Sequence, residues 1–251
     1  MEDSLFTWGL LIVAAFLGGG LNAIAGGGSF FTFPALVYAG VPAVAANASG
    51  TLALLPGYVA STWGFREDLR APATLPMGQT LGVSLLGGAL GAGLLLVTPD
   101  EVFRAVVPWL LLAATVLFAA GPRLMTALKR GDGEAGGLAH AASLLAVSLY
   151  GGYFNGGLGI VLLAVFSLLG HRDLNMMQGL KNLISAVLTT IAVTLYALGG
   201  AIVWKESLVM MIAAIAGGYV MARVARRLPA VVVRTVVIAT GLVMTILFFR
   251  T

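Results

Sequence analysis

Of the 251 residues, 59% are hydrophobic and 10% charged, and the mean hydropathy is +1.01. A soluble domain has roughly a quarter of its residues charged, so the chain reads as a polytopic membrane protein. The absence of cysteine excludes disulfides, thiolate metal sites and cysteine nucleophiles, and His140 and His171 alone are too few for an imidazole metal centre, so neither metal nor cofactor is expected. The net charge of +4 comes from basic residues scattered between apolar runs, which speaks for topology signals and against nucleic acid as a partner.

In chain order, Met1-Glu2-Asp3-Ser4 lacks the basic start of a cleaved signal peptide, so the first apolar run, about residues 5–20, is expected to remain as a membrane segment. It leads into a glycine-rich break, Gly18-Gly19-Gly20-Leu21-Asn22-Ala23-Ile24-Ala25-Gly26-Gly27-Gly28-Ser29. A short run over 29–40 ends at Gly40 and Pro42, and the next, 43–64, opens on the polar cluster Asn47-Ala48-Ser49-Gly50-Thr51. Runs over 73–97 and 103–121 complete the first half. A polar stretch containing Lys129-Arg130-Gly131-Asp132-Gly133-Glu134 follows, and residues 122–137 are expected to be a cytoplasmic linker between repeats at 1–121 and 138–251.

The second half then repeats the order of the first. A run over 138–154 enters the break Gly151-Gly152-Tyr153-Phe154-Asn155-Gly156-Gly157-Leu158-Gly159, and a short run over 157–170 ends at Gly170. The cluster Gln178-Gly179-Leu180-Lys181-Asn182 lies in the run 174–199, and runs over 203–222 and 229–249 close the chain. A crossing needs about 20 residues, so the three long runs after each break qualify and the pair around each break is short. Each short pair is either a tilted two-helix crossing or a re-entrant hairpin.

Placing the linker in the cytoplasm puts nine of the 14 Lys and Arg inside, including Arg66, Arg70, Arg172, Arg226 and Arg227. Only Arg104, Lys205 and Arg250 then lie outside, as the positive-inside rule favours. Both termini are expected outside, with the Gly40 turn outside and the Gly170 turn inside. Matching positions on opposite faces are the signature of inverted repeats, each a short broken-helix pair plus three transmembrane helices, in an all-α fold.

Lys181 is the one ionisable group well inside an apolar run, where a central lysine costs roughly 2.5–3.5 kcal/mol on insertion scales. Gln178, Lys181, Asn182 and Ser185 recur at i, i+3, i+4 and i+7, with Thr189 extending the same helix face. A polar stripe with one cation suits an anion; snorkelling of Lys181 is the plainer alternative. Asn47 and Thr51 form an uncharged stripe in the first half, suited either to neutral contacts across a pocket or to helix packing. Ser29 is expected to cap a helix beginning at Phe30, aiming free N–H groups and a positive dipole end into a cavity, with Asn155 and Gly157 doing the same from the second break. Gly27 and Gly28 would let an anion approach this backbone, and Asn22 of the same break is counted with them as a substrate-binding residue.

No Asp or Glu falls inside an expected span, which disfavours a buried carboxylate relay. His171, beside Arg172 and Asp173, reads as a bystander in a surface turn. Neither a nucleophile–acid–base set nor a phosphate-loop pattern is present, so neither an enzyme nor an ATP-driven pump is indicated.

Two stretches resemble the TauE/SafE family of membrane permeases, described as sulfite or organosulfonate exporters. They are GGGLNAIAGGGSFFTFPALVYAGVPAVAANASGT over 18–51 and YGGYFNGGLGIVLLAVFSLLGHRDLNMMQGLKN over 150–182. The second copy departs from the fuller pattern, with Gly157-Leu158-Gly159 in place of a triple glycine and no counterpart of Pro34. The resemblance implies a secondary carrier of small sulfur-containing or carboxylate anions in the inner membrane, and favours export. The expected partners are therefore a small anionic substrate and the bilayer. A homo-oligomer is left open, and the rivals are an anion channel and a non-transporting membrane assembly protein.

Overall fold

The computed structural model describes residues 2–71, 75–128, 136–171, 173–224 and 230–250. Of the expected linker 122–137, residues 122–128 continue the helix that starts at Asp100, and 129–135, together with Arg172, Arg226 and Arg227, lie outside the described residues. All regular structure described is helical: α1 (Glu2–Ala25), α2 (Ser29–Tyr38), α3 (Ala43–Gly64), α4 (Met77–Val97), α5 (Asp100–Leu128), α6 (Gly137–Tyr153), α7 (Leu158–Leu168), α8 (Leu174–Leu198), α9 (Trp204–Val224) and α10 (Ala230–Arg250). Each expected apolar run holds one helix. Among the described residues four stretches are long and apolar enough to cross a bilayer: Ser4–Ala23, Ala43–Gly64, Met77–Val97 and Asn175–Leu198.

The helices α2 and α7, with 10 and 11 residues, are about 15–17 Å long, half of a hydrocarbon core of about 30 Å. Both end in the same way. Val41 N–H bonds to Leu36 and Gly40 N–H to Val37, and correspondingly His171 bonds to Phe166 and Gly170 to Ser167. Gly40 and Gly170 hold φ of +85° and +93° in these Schellman turns.

Each short helix brings the chain back to the end of the bundle where the preceding helix began. Ser4 and Trp8 of α1 line one cavity with Ala39 and Val41 of the α2–α3 turn, and Asp100 of α5 accepts from the Val44 N–H at the start of α3. At the other end, His140 in the first turn of α6 meets His171 of the α7–α8 turn, with ring centroids 5.3 Å apart. His171 is therefore buried, not an exposed bystander, because the glycine turn folds it back onto α6 and against Phe166.

The two halves interlock. The first helix of each packs along the fourth helix of the other, α1 on α9 and α6 on α4; α3 packs on α8 and α5 on α10. Glycine permits the closest of these approaches. A Cβ on Gly19 would lie 2.0 Å from the Ala214 carbonyl oxygen, one on Gly217 1.9 Å from that of Phe16, and one on Gly91 2.1 Å from that of Leu149. Gly18-Gly19-Gly20 accordingly sits within α1, and the first break is shorter than the sequence predicts. Only residues 26–28 leave the helix, while the second break spans 154–157.

Candidate functional site

The two breaks meet inside the molecule. A Cβ on Gly26 would lie 2.7 Å from Gly159 Cα, and one on Gly159 would lie 2.9 Å from Gly26 Cα, so only glycine allows backbone to touch backbone here. Gly26 and Gly157 also hold left-handed φ of +77° and +72°, a region that costs other residues roughly 1–2 kcal/mol. The first turns of α2 and α7 thus converge, and both positive helix ends face the same interior region.

Ser29 does not cap α2. Gly28 occupies the cap position with no side-chain bond, because it adopts the helical conformation itself and starts the helix one residue earlier than expected. The Ser29 hydroxyl instead donates to the Asn155 carbonyl across the two breaks, at 3.2 Å. Gly27 accepts from the Phe30 N–H and Asn155 from that of Leu158, closing the entry turn of each short helix. Gly28 packs against Asn22, and Gly157 faces the Phe30 ring.

From α3, Asn47 Nδ2 donates to the Tyr153 carbonyl at 3.1 Å, and Tyr58 donates to Asn155 Oδ1 at 3.2 Å with Asn22 in reach of the same hydroxyl. Tyr150 donates to the Gly156 carbonyl, and Tyr196 of α8 to that of Gly152. Tyr58 and Tyr150 hold the second break and Tyr196 the end of α6 that leads into it, and the sequence reading missed all three. Tyr58 was findable: with Asn47 and Thr51 it recurs at i, i+4 and i+11, three turns along one face. The partners of Tyr150 and Tyr196 are main-chain carbonyls, which leave no mark in a side-chain pattern.

From α8, Lys181 is 1% exposed, and its Cδ lies 3.2 Å from where a Cβ would sit on Gly159. The missing side chain makes room for the lysine stem beside the contact between the breaks. Among the described residues the Lys181 ammonium has neither a hydrogen bond nor an ion pair. Asn182, Ser185 and Thr189 are buried along the same helix, and the Ser185 and Thr189 hydroxyls have no partner. Thr51 Oγ1, Asn22 Oδ1 and Asn155 Nδ2 are likewise buried and unpartnered. Buried polar atoms are rarely left so, and on the helices and breaks around Lys181 they are donors and acceptors suited to a polar ligand.

The structure therefore joins Asn22, Gly28, Ser29, Asn155, Gly157 and Lys181 around the meeting of the breaks, with Gly27 closing the turn and Asn47 tying α3 to it. Thr51 and Asn182 are buried on the flanking helices without a hydrogen bond to either break. Gln178 is half-buried near the start of α8 and makes no hydrogen bond among the described residues. A cavity of about 570 Å³ lies elsewhere, between α1, α2 and α10, and none of the expected site residues lines it.

The ten helices among the described residues, two of them half-length and meeting through unwound ends beside a buried lysine, have the form of a polytopic helical membrane protein. A family model described as sulfite exporter TauE/SafE matches residues 11–248, and the chain belongs to that family. A probable membrane transporter protein of Haemophilus influenzae is 28% identical over 98% of this chain and 95% of its own. The probable membrane transporter protein YfcA of Escherichia coli K12 is 28% identical over 88% of this chain and 80% of its own. A Sinorhizobium protein, probable membrane transporter protein ORF9, reaches 34% identity over 49% of this chain and 48% of its own. No solved structure matches the chain.

Proposed function

We propose that the protein is a secondary transporter of small oxyanions, such as sulfite, an organosulfonate or a related carboxylate, working by alternating access around the meeting point of the two breaks. The observation that carries this reading is Lys181: a buried ammonium with no carboxylate partner, packed on Gly159 where two helix N-termini converge. A lone buried cation is costly unless a counter-charge joins it, and an anion held by Lys181, Asn22 and Asn155 at the two positive helix ends supplies one. Asn47, Thr51, Gln178 and Asn182 are assigned to the walls of this site.

The substrate class and the export direction rest on the family's description. Inverted halves, expected at 1–121 and 138–251 with the cytoplasmic linker between them confined to the segment after α5, supply the two access states. Their support lies in the exchanged packing of α1 on α9 and α6 on α4, and in the α2–α3 and α7–α8 turns lying at opposite ends of the bundle. On this reading the protein lies in the inner membrane with both termini outside.

Counterflow of radiolabelled sulfite in proteoliposomes tests the proposal. A carrier accumulates label against unlabelled anion on the far side, and Lys181→Met abolishes the accumulation. Flux without trans-stimulation would identify an anion channel, and no flux for any oxyanion would favour an assembly protein.

A further inference from the structure

The cavity of about 570 Å³ is a trench on the outside of the bundle. One wall is a stripe of α1, Phe6, Leu10, Val13 and Leu17, and α2 forms its floor through Pro34 and Ala35. The remaining wall is α10, which touches α2 less closely than α5 touches the corresponding α7, so the trench has no close-packed twin. From Phe6 to Leu17 the stripe is about 17 Å long. That is about half of a hydrocarbon core of about 30 Å, the depth of one leaflet.

The trench changes chemistry at one end. Arg104, in the first turns of α5, lines it beside Tyr38, the last residue of α2, which is 70% exposed. Arg104 is exposed and has no partner among the described residues. Asp100 in the same turn is engaged by the Val44 N–H, and exposed Glu101 makes no ion pair with Arg104 among the described residues. An aromatic hydroxyl and a guanidinium at the mouth of a one-leaflet apolar trench match the profile of a phospholipid, with an anionic head above and an acyl chain below. A second copy of the chain would need an apolar helix face along the whole length and would leave the guanidinium facing hydrocarbon.

We propose that the trench binds a phospholipid of the leaflet on the side of the chain termini, an acyl chain lying along α1 and α2 and an anionic headgroup on Arg104. The site is separate from Lys181 and rests on the membrane assignment alone. Because α2 starts at Ser29, the lipid lies against the back of the helix whose first turn frames the anion site.

Native mass spectrometry of the detergent-purified protein with phosphatidylglycerol or phosphatidylcholine tests this. The wild type should retain one phosphatidylglycerol about fivefold more tightly than phosphatidylcholine, the gain expected of one basic residue at a headgroup. Arg104→Gln should abolish the preference while both lipids still bind, and Arg104→Lys should keep it. Val13→Trp, substituted at an exposed wall position, should weaken both lipids. An unchanged preference in Arg104→Gln, no preference in the wild type, or wild-type binding in Val13→Trp would each overturn the site, as would a dimer that Val13→Trp dissociates.

Discussion

At the scale of single residues, the interior is organised by what glycine leaves out. Gly159 lets Gly26 and the Lys181 stem occupy space that a methyl group would take. Gly159→Ala should therefore destabilise the protein by about 1–3 kcal/mol, the usual cost of overpacking, seen as a lowered unfolding midpoint in detergent. Gly9 has open space around it, and Gly9→Ala should leave stability unchanged or raise it by up to about 1 kcal/mol through helix propensity. Equal midpoints for the two variants would contradict the contact between the breaks. Lys181 was legible in the sequence as a charge in an apolar run with polar neighbours at helical spacing. Tyr196 was not, because its partner is a main-chain carbonyl on α6.

At the scale of elements, all ten helices were legible as apolar runs, and the half-length of α2 and α7 from the spacing of Gly28 to Gly40 and Gly157 to Gly170. Helix α1, expected to be short like α2, instead runs 24 residues and holds a stretch, Ser4–Ala23, long enough to cross, because Gly18-Gly19-Gly20 stays helical. The extent of the first break was not legible. A glycine that turns the chain and one that admits a neighbouring helix look alike in sequence: Gly26 needs its left-handed φ, whereas Gly19 lies within α1 and makes room for Ala214. The same ambiguity hides Gly91 and Gly152, which bring α4 and α6 together. If α1 on α9 and α6 on α4 are equivalent interfaces, Gly19→Ala and Gly91→Ala should lower stability by similar amounts, about 1–3 kcal/mol each. Thermal unfolding of the two variants checks this, and a large effect from one alone would show that the interfaces are not equivalent.

At the scale of the whole molecule, two breaks far apart in the chain touch, with α3 tied to the second of them and the Lys181 stem of α8 packed beside their contact. Charge counting predicted opposite orientations for the halves, but the interlocking of α1 with α9 was invisible to it, since contacts nearly 200 residues apart in sequence leave no local pattern. The natural absence of cysteine makes the orientation directly measurable. Single cysteines at Tyr38 and Leu168, both exposed at the ends of α2 and α7, should react with a membrane-impermeant maleimide from opposite sides of the membrane. Labelling of both from one side would contradict the inverted arrangement.

The central claim is that Lys181 marks an anion site where the two breaks meet. It is tested most directly by thermal stabilisation of the purified protein across a panel of sulfite, sulfonates, carboxylates and chloride, with wild type and Lys181→Met compared in parallel. An anion present at 100 times its dissociation constant should stabilise the wild type by about 2.7 kcal/mol. The account predicts selective stabilisation by one class of oxyanion that disappears in Lys181→Met; identical responses from a folded mutant would contradict it.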